Sequence, residues 1–542
     1  ECNAGRCTLA ADPVTEFGGA GMMAAESNVP GVSLACLLEG LAAEGRVVDA
    51  QVSGLASDSR SVRSGDLFLA CQGLQVHGLA HVDQAIRQGA VAVVWEPLSD
   101  PQINDIAGSL SVPSAAIAGL SQKLGVIADR FYAHPSKALH VIGVTGTDGK
   151  TSVTHFIAQA LSVGKQSCGL LGTLGYGVYG ALQAPTHTTP DALRLQAEFA
   201  ALRDSGVRQV AMEVSSHALH QYRTTAVAFD TAVLTHLSRD HLDYHGSIEA
   251  YAEAKRRLFH SPDLSCAVLN VGDDFARRLA NELQSRLRVI AYQSQSEGTA
   301  RNYADWLELT DVRPLDKGIV LQLESSWGAT AFEVPLLGAF NAENLLAALG
   351  ALLASGLPLQ TAVQGLSRVK TVPGRMELFT QQGVARVVVD YAHTPRALET
   401  VLQALRPHCS GELVCVFGAG GDRDPGKRPL MGALAERYAD RVVLTSDNPR
   451  HEDPDSILDQ IARGFEQPQR ALRIVDRGEA IEAAVRDAAA DDLVLVAGKG
   501  HEDYQQRGSE RRPFSDRSRV QRLLRRQGEL RSKRGRPGGL AE

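Results

Sequence analysis

The residues best suited to chemistry stand at Thr145-Gly146-Thr147-Asp148-Gly149-Lys150-Thr151-Ser152. The two glycines let backbone N–H groups turn toward an anion, and a following helix would add its positive end. Lys150 would supply a point charge for β- and γ-phosphates, and the Thr151 hydroxyl could join a Mg2+ shell. The spacing is not that of G-x-x-x-x-G-K-[ST], because only two residues separate Gly146 from Gly149. A plain glycine turn is the alternative, and the Lys150-Thr151 pair between a strand and a helix argues against it. A second group comprises Glu213, with Ser215, Ser216 and His217 close behind, and then Asp240, His241, His245 and Lys255. Hard Mg2+ wants oxygen ligands and tolerates an imidazole, and a carboxylate ending a strand beside a phosphate loop is well placed to hold such an ion. Taken singly these residues also read as hydrogen-bonded structural histidines and, for Lys255-Arg256-Arg257, a solvated helix face. Spacing alone leaves both readings open.

Alternating strand and helix patterns must position these groups. ALHVIGVTG reads as a strand entering the glycine turn, SVTHFIAQALSV as a helix, and VRQVAMEVSS and AFDTAVLTHLS as further strands. The alternation predicts βαβ units and a mostly parallel sheet. Boundaries are expected near Pro135 and at Val372-Pro373-Gly374. Beyond the second, ARVVVDYAH, GELVCVFGAGG, DRVVLTSDNPR and DDLVLVAGKGHE each run from a strand into a polar loop, where ligands of open α/β sheets bind. FGAGG invites a dinucleotide reading, but Arg423 stands where the third glycine would be required.

The chain of 542 residues suggests about three domains. A net charge of −7 argues against general nucleic-acid binding. No apolar run is long enough to span a membrane. The eight scattered cysteines, without a C-x-x-C pair, fit a reducing cytoplasm better than a disulfide or metal framework. Residues 1–30 read as an unstructured or over-extended start, with Met22 or Met23 as the expected true start, and residues 527–542 as a disordered tail.

GTDGKTS, EVSSHAL, LSRDHLDYHG with YAEAKRRLF, GAFNAENLLAAL, VPGRME, DYAHTP, FGAGGDRDPGKRPLM, SDNPR and GKGHEDYQ occur in order between about Ser57 and Gln505, and together they resemble the Mur ligases. The resemblance implies three domains: residues 31–136 for a UDP-linked substrate, 137–371 with a central P-loop-type sheet for ATP, and 372–526, Rossmann-like, for the incoming amino acid. It implies that Gly146 to Ser152 hold phosphates, and that Thr151, Glu213, His241 and a carbamylated Lys255 support two Mg2+ ions. Asn341 and Asn344 are similar to residues that meet adenine, and Arg375, Asp390 and His393 match the nucleotide side of an interdomain hinge. Ser59, Gly73, Leu74 and Gln75 match the uridine end, and Thr188, Thr189, Ser215, Gln221 and Arg223 the muramoyl dipeptide. Arg223 would clamp the D-glutamate carboxylates. Asp447, Asn448, Pro449 and Arg450 resemble the signature for diaminopimelate, whose distal carboxylate Arg450 can grip with two bonds, and Arg423, Gly498 and Glu502 match the remaining contacts.

The activity implied is ATP-dependent addition of meso-2,6-diaminopimelate to UDP-N-acetylmuramoyl-L-alanyl-D-glutamate through an acyl phosphate. An L-lysine-adding cell-wall ligase and a folylpolyglutamate synthase-like ligase are the alternatives, and a monomer is expected. Lys150, Glu213, His241 and Lys255 are the expected catalytic set. Three positions depart from the family pattern: Asp148 for the commoner Asn, His236 for Asn, and Arg396 for an acidic residue.

Overall fold

The computed structural model describes residues 31–42, 48–73, 76–162, 167–184, 187–294 and 298–534, with side chains described as far as 529. Residues 1–30 and 535–542, and with them the expected start and the end of the expected tail, lie outside the described residues. The chain forms two compact units, residues 1–118 and 119–542.

In the first unit four short strands, Gly54–Ala56, Asp66–Ala70, Ala92–Trp95 and Ser114–Ala116, pair in parallel in that order. Apolar side chains such as Phe68, Val82, Val93 and Ile103 fill the core between this sheet and its helices.

The second unit carries a ten-stranded sheet and a six-stranded sheet. In the larger, the strands from Asp305–Leu315 across to Cys168–Gly172 run parallel, and antiparallel strands close both edges. His140–Thr145 lies between Thr231–Leu234 and Gln209–Glu213, where the direction of strand addition reverses. Such a switch point opens a crevice at the carboxyl ends of the strands. Parallel strands are buried on both faces, which explains runs such as HVIGVT and TAVL. The helix Phe340–Ala354 is apolar on nearly every side and buried along most of its length, because it packs between the sheet and the helix Lys150–Leu161.

The smaller sheet is parallel through Arg386–Asp390, Leu493–Ala497, Leu413–Phe417, Arg441–Leu444 and Ala471–Arg473, with Glu377–Phe379 antiparallel at one edge. Each expected C-terminal strand forms. His408 ties the two sheets together: its Nδ1 lies 2.7 Å from the carbonyl of Leu315, and its Nε2 accepts from the Gly338 N–H at 3.0 Å.

The first compact unit extends to Ala118. The helix Leu120–Phe131 packs on Ala192–Asp204 of the second unit, where Arg203 donates to the Tyr132 carbonyl at 2.8 Å. The final helix, Asp516–Arg534, carries residues 527–534 into what was expected to be disordered tail. It is held at its start by Asp516, which is fully buried against Arg477.

Candidate active site

The strand His140–Thr145 delivers the chain into a tight turn that only glycine could make. Gly146 has φ 144° and Gly149 φ 84°. A Cβ at Gly146 would lie 1.8 Å from Thr235 Oγ1, and one at Gly149 2.4 Å from Asn344 Oδ1. Gly149 caps the helix Lys150–Leu161, so the helix N-terminus opens onto the loop. Thr235 Oγ1 donates to the Asp148 carbonyl at 2.6 Å, and Thr147 Oγ1 donates to the Ser238 carbonyl at 3.1 Å and accepts from the Ser238 N–H. Ser152 follows in the first helical turn.

Two lysines converge on this loop. Lys150 Nζ donates to the carbonyls of Gly146 at 3.0 Å and Thr147 at 2.9 Å. Lys255, almost wholly buried, donates to the same Gly146 carbonyl at 2.7 Å and lies over the Tyr251 ring. Burial, and then the Lys150 ammonium, push Lys255 well below the ordinary lysine range, against the pull of Asp240 and Asp148. Burial also lowers Lys150, while Glu213, Asp148 and Asp240 oppose it.

Glu213 is paired with Val144 across the parallel ladder and so reaches the same crevice. Its carboxylate is buried and accepts from Thr151 Oγ1 at 2.9 Å, the Thr173 N–H at 2.7 Å and Thr173 Oγ1 at 3.1 Å. His241 has φ 52° and stands at the start of Leu242–His245, with its ring 4.9 Å from that of His217 and 6.2 Å from that of Tyr251. Tyr251 in turn donates to Thr147 Oγ1. Lys150, Thr151, Glu213 and Lys255 thus share one cleft, and His241 joins it through Tyr251. Among the described residues no three His, Cys, Asp or Glu side chains form a ready-made metal cluster.

Beside this cleft, Thr188 accepts from Thr173 Oγ1 at 3.2 Å, and Thr189, itself buried, donates to the Glu213 carbonyl at 2.9 Å. Ser215 caps Ser216–His220 by accepting from the Ala218 N–H. Arg223 donates to the Thr189 carbonyl at 3.0 Å and to Gln221 Oε1 at 2.5 Å, and Gln221 donates to Tyr244 Oη at 2.9 Å. The five expected dipeptide residues therefore form one patch. His217 lies against Tyr244, with ring centroids 4.2 Å apart, and burial, then His241, hold its imidazole below the usual histidine range.

Asn344 Nδ2 donates to Asn341 Oδ1, and Asn341 Nδ2 to the Leu337 carbonyl. Both amides are buried, and Asn344 lies against the phosphate loop. Asp390 accepts from the N–H groups of Met376 and Ala392, each at 2.7 Å, and so ties the turn at 374–376 to the end of the strand Arg386–Asp390. Arg375 stacks on Tyr391, and the His393 carbonyl accepts from Lys427. Two of the three positions expected to depart from the family pattern meet: His236 Nε2 is 3.4 Å from Asp148 Oδ2. That imidazole first, then the charges of Lys150 and Arg396, hold the Asp148 carboxyl below its usual range.

The loops expected to take the amino acid follow strands of the smaller sheet. Arg450 has φ 50° and donates to the Gly421 carbonyl at 2.6 Å, while its own backbone pairs with the hairpin residues Gln506 and Gly508. Asp447, Asn448 and Pro449 are buried, Arg423 is exposed, and Glu502 accepts from Asn448 Nδ2 at 2.9 Å. In the first unit Ser59 is buried and donates to Gln84 Oε1 at 3.0 Å, and the Gly73 N–H donates to the Val76 carbonyl at 3.2 Å. Leu74 and Gln75 lie outside the described residues.

Sequence reasoning missed several residues that hold the site. Thr173, Tyr244 and Tyr251 support Glu213, Gln221 and Thr147. Arg428, fully buried, pairs twice with Glu452 and donates to the Gly420 carbonyl. Tyr251 was findable, since it lies one helical turn before Lys255 on Ile248–Arg256. The partners of Thr173 and Arg428, 40 and 24 residues away, left no local signal.

A glycine-built phosphate loop at the switch point of a parallel sheet, with lysines and a buried carboxylate around it and a second sheet bearing its own loops, defines an α/β phosphoryl-handling enzyme. The chain belongs to the Mur ligase family: residues 144–352 match the Mur ligase middle domain, 374–500 the Mur ligase glutamate ligase domain, and 51–132 the Mur ligase family catalytic domain. It is 50% identical over 479 residues, 88% of this chain and 96% of the relative, to the UDP-N-acetylmuramoyl-L-alanyl-D-glutamate--2,6-diaminopimelate ligase of Pseudomonas aeruginosa. It is 45% identical to the ligase of the same name from Coxiella burnetii, over 86% of this chain and 94% of that one. A solved structure of a ligase of that name aligns with a TM-score of 0.69 at 35% identity, covering 92% of this chain and 99% of that one. Folylpolyglutamate synthase of Mycobacterium tuberculosis shares the fold, at 22% identity and a TM-score of 0.56 over 70% of this chain and 92% of that one.

Proposed function

We propose that the protein joins meso-2,6-diaminopimelate to UDP-N-acetylmuramoyl-L-alanyl-D-glutamate at the expense of ATP, in the cytoplasm and as a monomer. The observation that carries this reading is the 50% identity spread over 96% of the Pseudomonas aeruginosa ligase. The expected division of labour follows the sheets: the first unit takes the UDP end, the ten-stranded sheet ATP, and the six-stranded sheet the diamino acid.

A carboxylate does not acylate an amine, because its leaving group would be oxide. Transfer of the ATP γ-phosphoryl to the D-glutamate carboxylate gives an acyl phosphate and ADP, and the diamino acid's amine then expels phosphate. The loop N–H groups, the helix Lys150–Leu161 and Lys150 hold the phosphates and offset charge on the moving group. Arg223, already aimed by Gln221 and Thr189, orients the dipeptide. Arg450 and Glu502 take the distal carboxylate and ammonium of the acceptor. His217 is the candidate to receive the amine's proton, since burial favours its neutral form.

Thr151, Glu213 and His241 offer the hard oxygens and imidazole that suit Mg2+. Bound there, Mg2+ would supply charge neutralisation between phosphoryl oxygens. Lys255 fits carbamylation, because carbon dioxide adds to a neutral amine and burial favours that form.

Purified protein given the UDP-muramoyl dipeptide, ATP, Mg2+ and meso-diaminopimelate should release one ADP per product of the expected mass. A faster reaction with L-lysine, or with a folate acceptor, would overturn the proposal.

A further inference from the structure

Lys499 is fully buried at the end of the strand Leu493–Ala497 and is not used in the chemistry described above. The turn that delivers it depends on Gly498, where φ is 115° and a Cβ would lie 2.7 Å from Asp447 Oδ2. The loop is thereby pressed against the Asp447–Arg450 loop. Lys499 Nζ donates to Asn448 Oδ1 at 3.1 Å and to Glu502 Oε2 at 2.8 Å, and it lies 5.4 Å from the centre of the Tyr504 ring. Asn448 Nδ2 donates to the same Glu502 Oε2 at 2.9 Å, closing a ring of three side chains. Asn448 Oδ1 also accepts from the Gln506 N–H at 2.9 Å.

The ring leaves the two carboxylate oxygens of Glu502 unequal. Oε2 is held by two donors, and among the described residues no donor reaches Oε1. A buried ammonium is costly to desolvate and is tolerated only when paired. Its presence here calls for a role that an apolar side chain could not fill. We infer that Lys499 is a positioning residue of the acceptor site. It fixes Glu502 and the Asn448 amide in one orientation, so that Glu502 offers its second oxygen to an ammonium of the incoming diamino acid. Lys499 itself touches no substrate. The inference rests on the proposed diamino-acid acceptor.

The test is steady-state kinetics of the full-length enzyme as Lys499→Met, Glu502→Gln and the double variant. Lys499→Met should raise the KM for meso-diaminopimelate about tenfold or more while the KM values for ATP and the UDP substrate stay within about twofold. In the Glu502→Gln background the same change should add little, because both act through one carboxylate. A purely structural role would instead shift all three KM values together, or give additive effects in the double variant, and either result overturns the inference, as does an unchanged acceptor KM. Should the methionine variant not fold, Lys499→Gln keeps one donor in the same space and supports the same cycle. If the unaltered enzyme uses no diamino acid at all, the proposed function fails. If it does and Lys499→Met keeps the acceptor KM, the positioning role alone fails.

Discussion

At the phosphate loop two lysines end on a single backbone carbonyl, that of Gly146. Around the six-stranded sheet, by contrast, Arg428, Arg477 and Lys499 are all buried and each ends on a carboxylate, of Glu452, Asp516 and Glu502. Among the described residues neither Lys150 nor Lys255 forms an ion pair. The first region leaves the Lys150 ammonium on backbone carbonyls, with its counter-charge to come from a polyphosphate. The second arrives with its charges already matched, so its geometry is set before any acceptor binds. Removing Lys150 should therefore cost catalysis, and removing Arg428 or Arg477 should cost stability.

The sharpest test is Lys150→Met. Turnover should fall by about 10^3-fold, as when one preorganised transition-state contact is lost, while the thermal midpoint stays level or rises because a buried ammonium bonded only to carbonyls is removed. A marked loss of stability would break the contrast. Arg477→Met should do the reverse. It strands the buried Asp516 and releases the carbonyls of Ser446 and Ala497, for a cost of about 3–5 kcal/mol, read as a lowered unfolding midpoint in calorimetry.

Arg450→Lys keeps the charge and loses the two-pronged grip. The kcat/KM for meso-diaminopimelate should drop about 10- to 100-fold with the ATP KM unchanged. An equal drop with L-lysine as acceptor would remove Arg450 from recognition of the distal carboxylate. Asp148→Asn should have the smallest effect. His236 and Arg396 already offset the carboxylate, so the ATP KM should fall only about two- to fivefold at low salt. A rise would show that Asp148 serves by holding His236.

Much of this was legible in the residue order. The strands entering the phosphate loop, the SDNPR loop and the GKGHE loop are where their apolar runs put them. Less visible was the edge of the first unit, because the helix Leu120–Phe131 is amphipathic and its apolar face could equally have served either neighbour; its packing on Ala192–Asp204 assigned it to the second.

Backbone conformation is set within a few residues, so the glycine turn at 146–149, the strand before it and the helix after it were fixed by side chains close in the chain. Which buried charge meets which partner depends on segments far apart: Thr173 meets Glu213 across 40 residues, Arg477 meets Asp516 across 39, and Lys499 meets Asn448 across 51. Those pairings came from the packing of sheets and helices, because a buried polar group must find a partner wherever the fold supplies one.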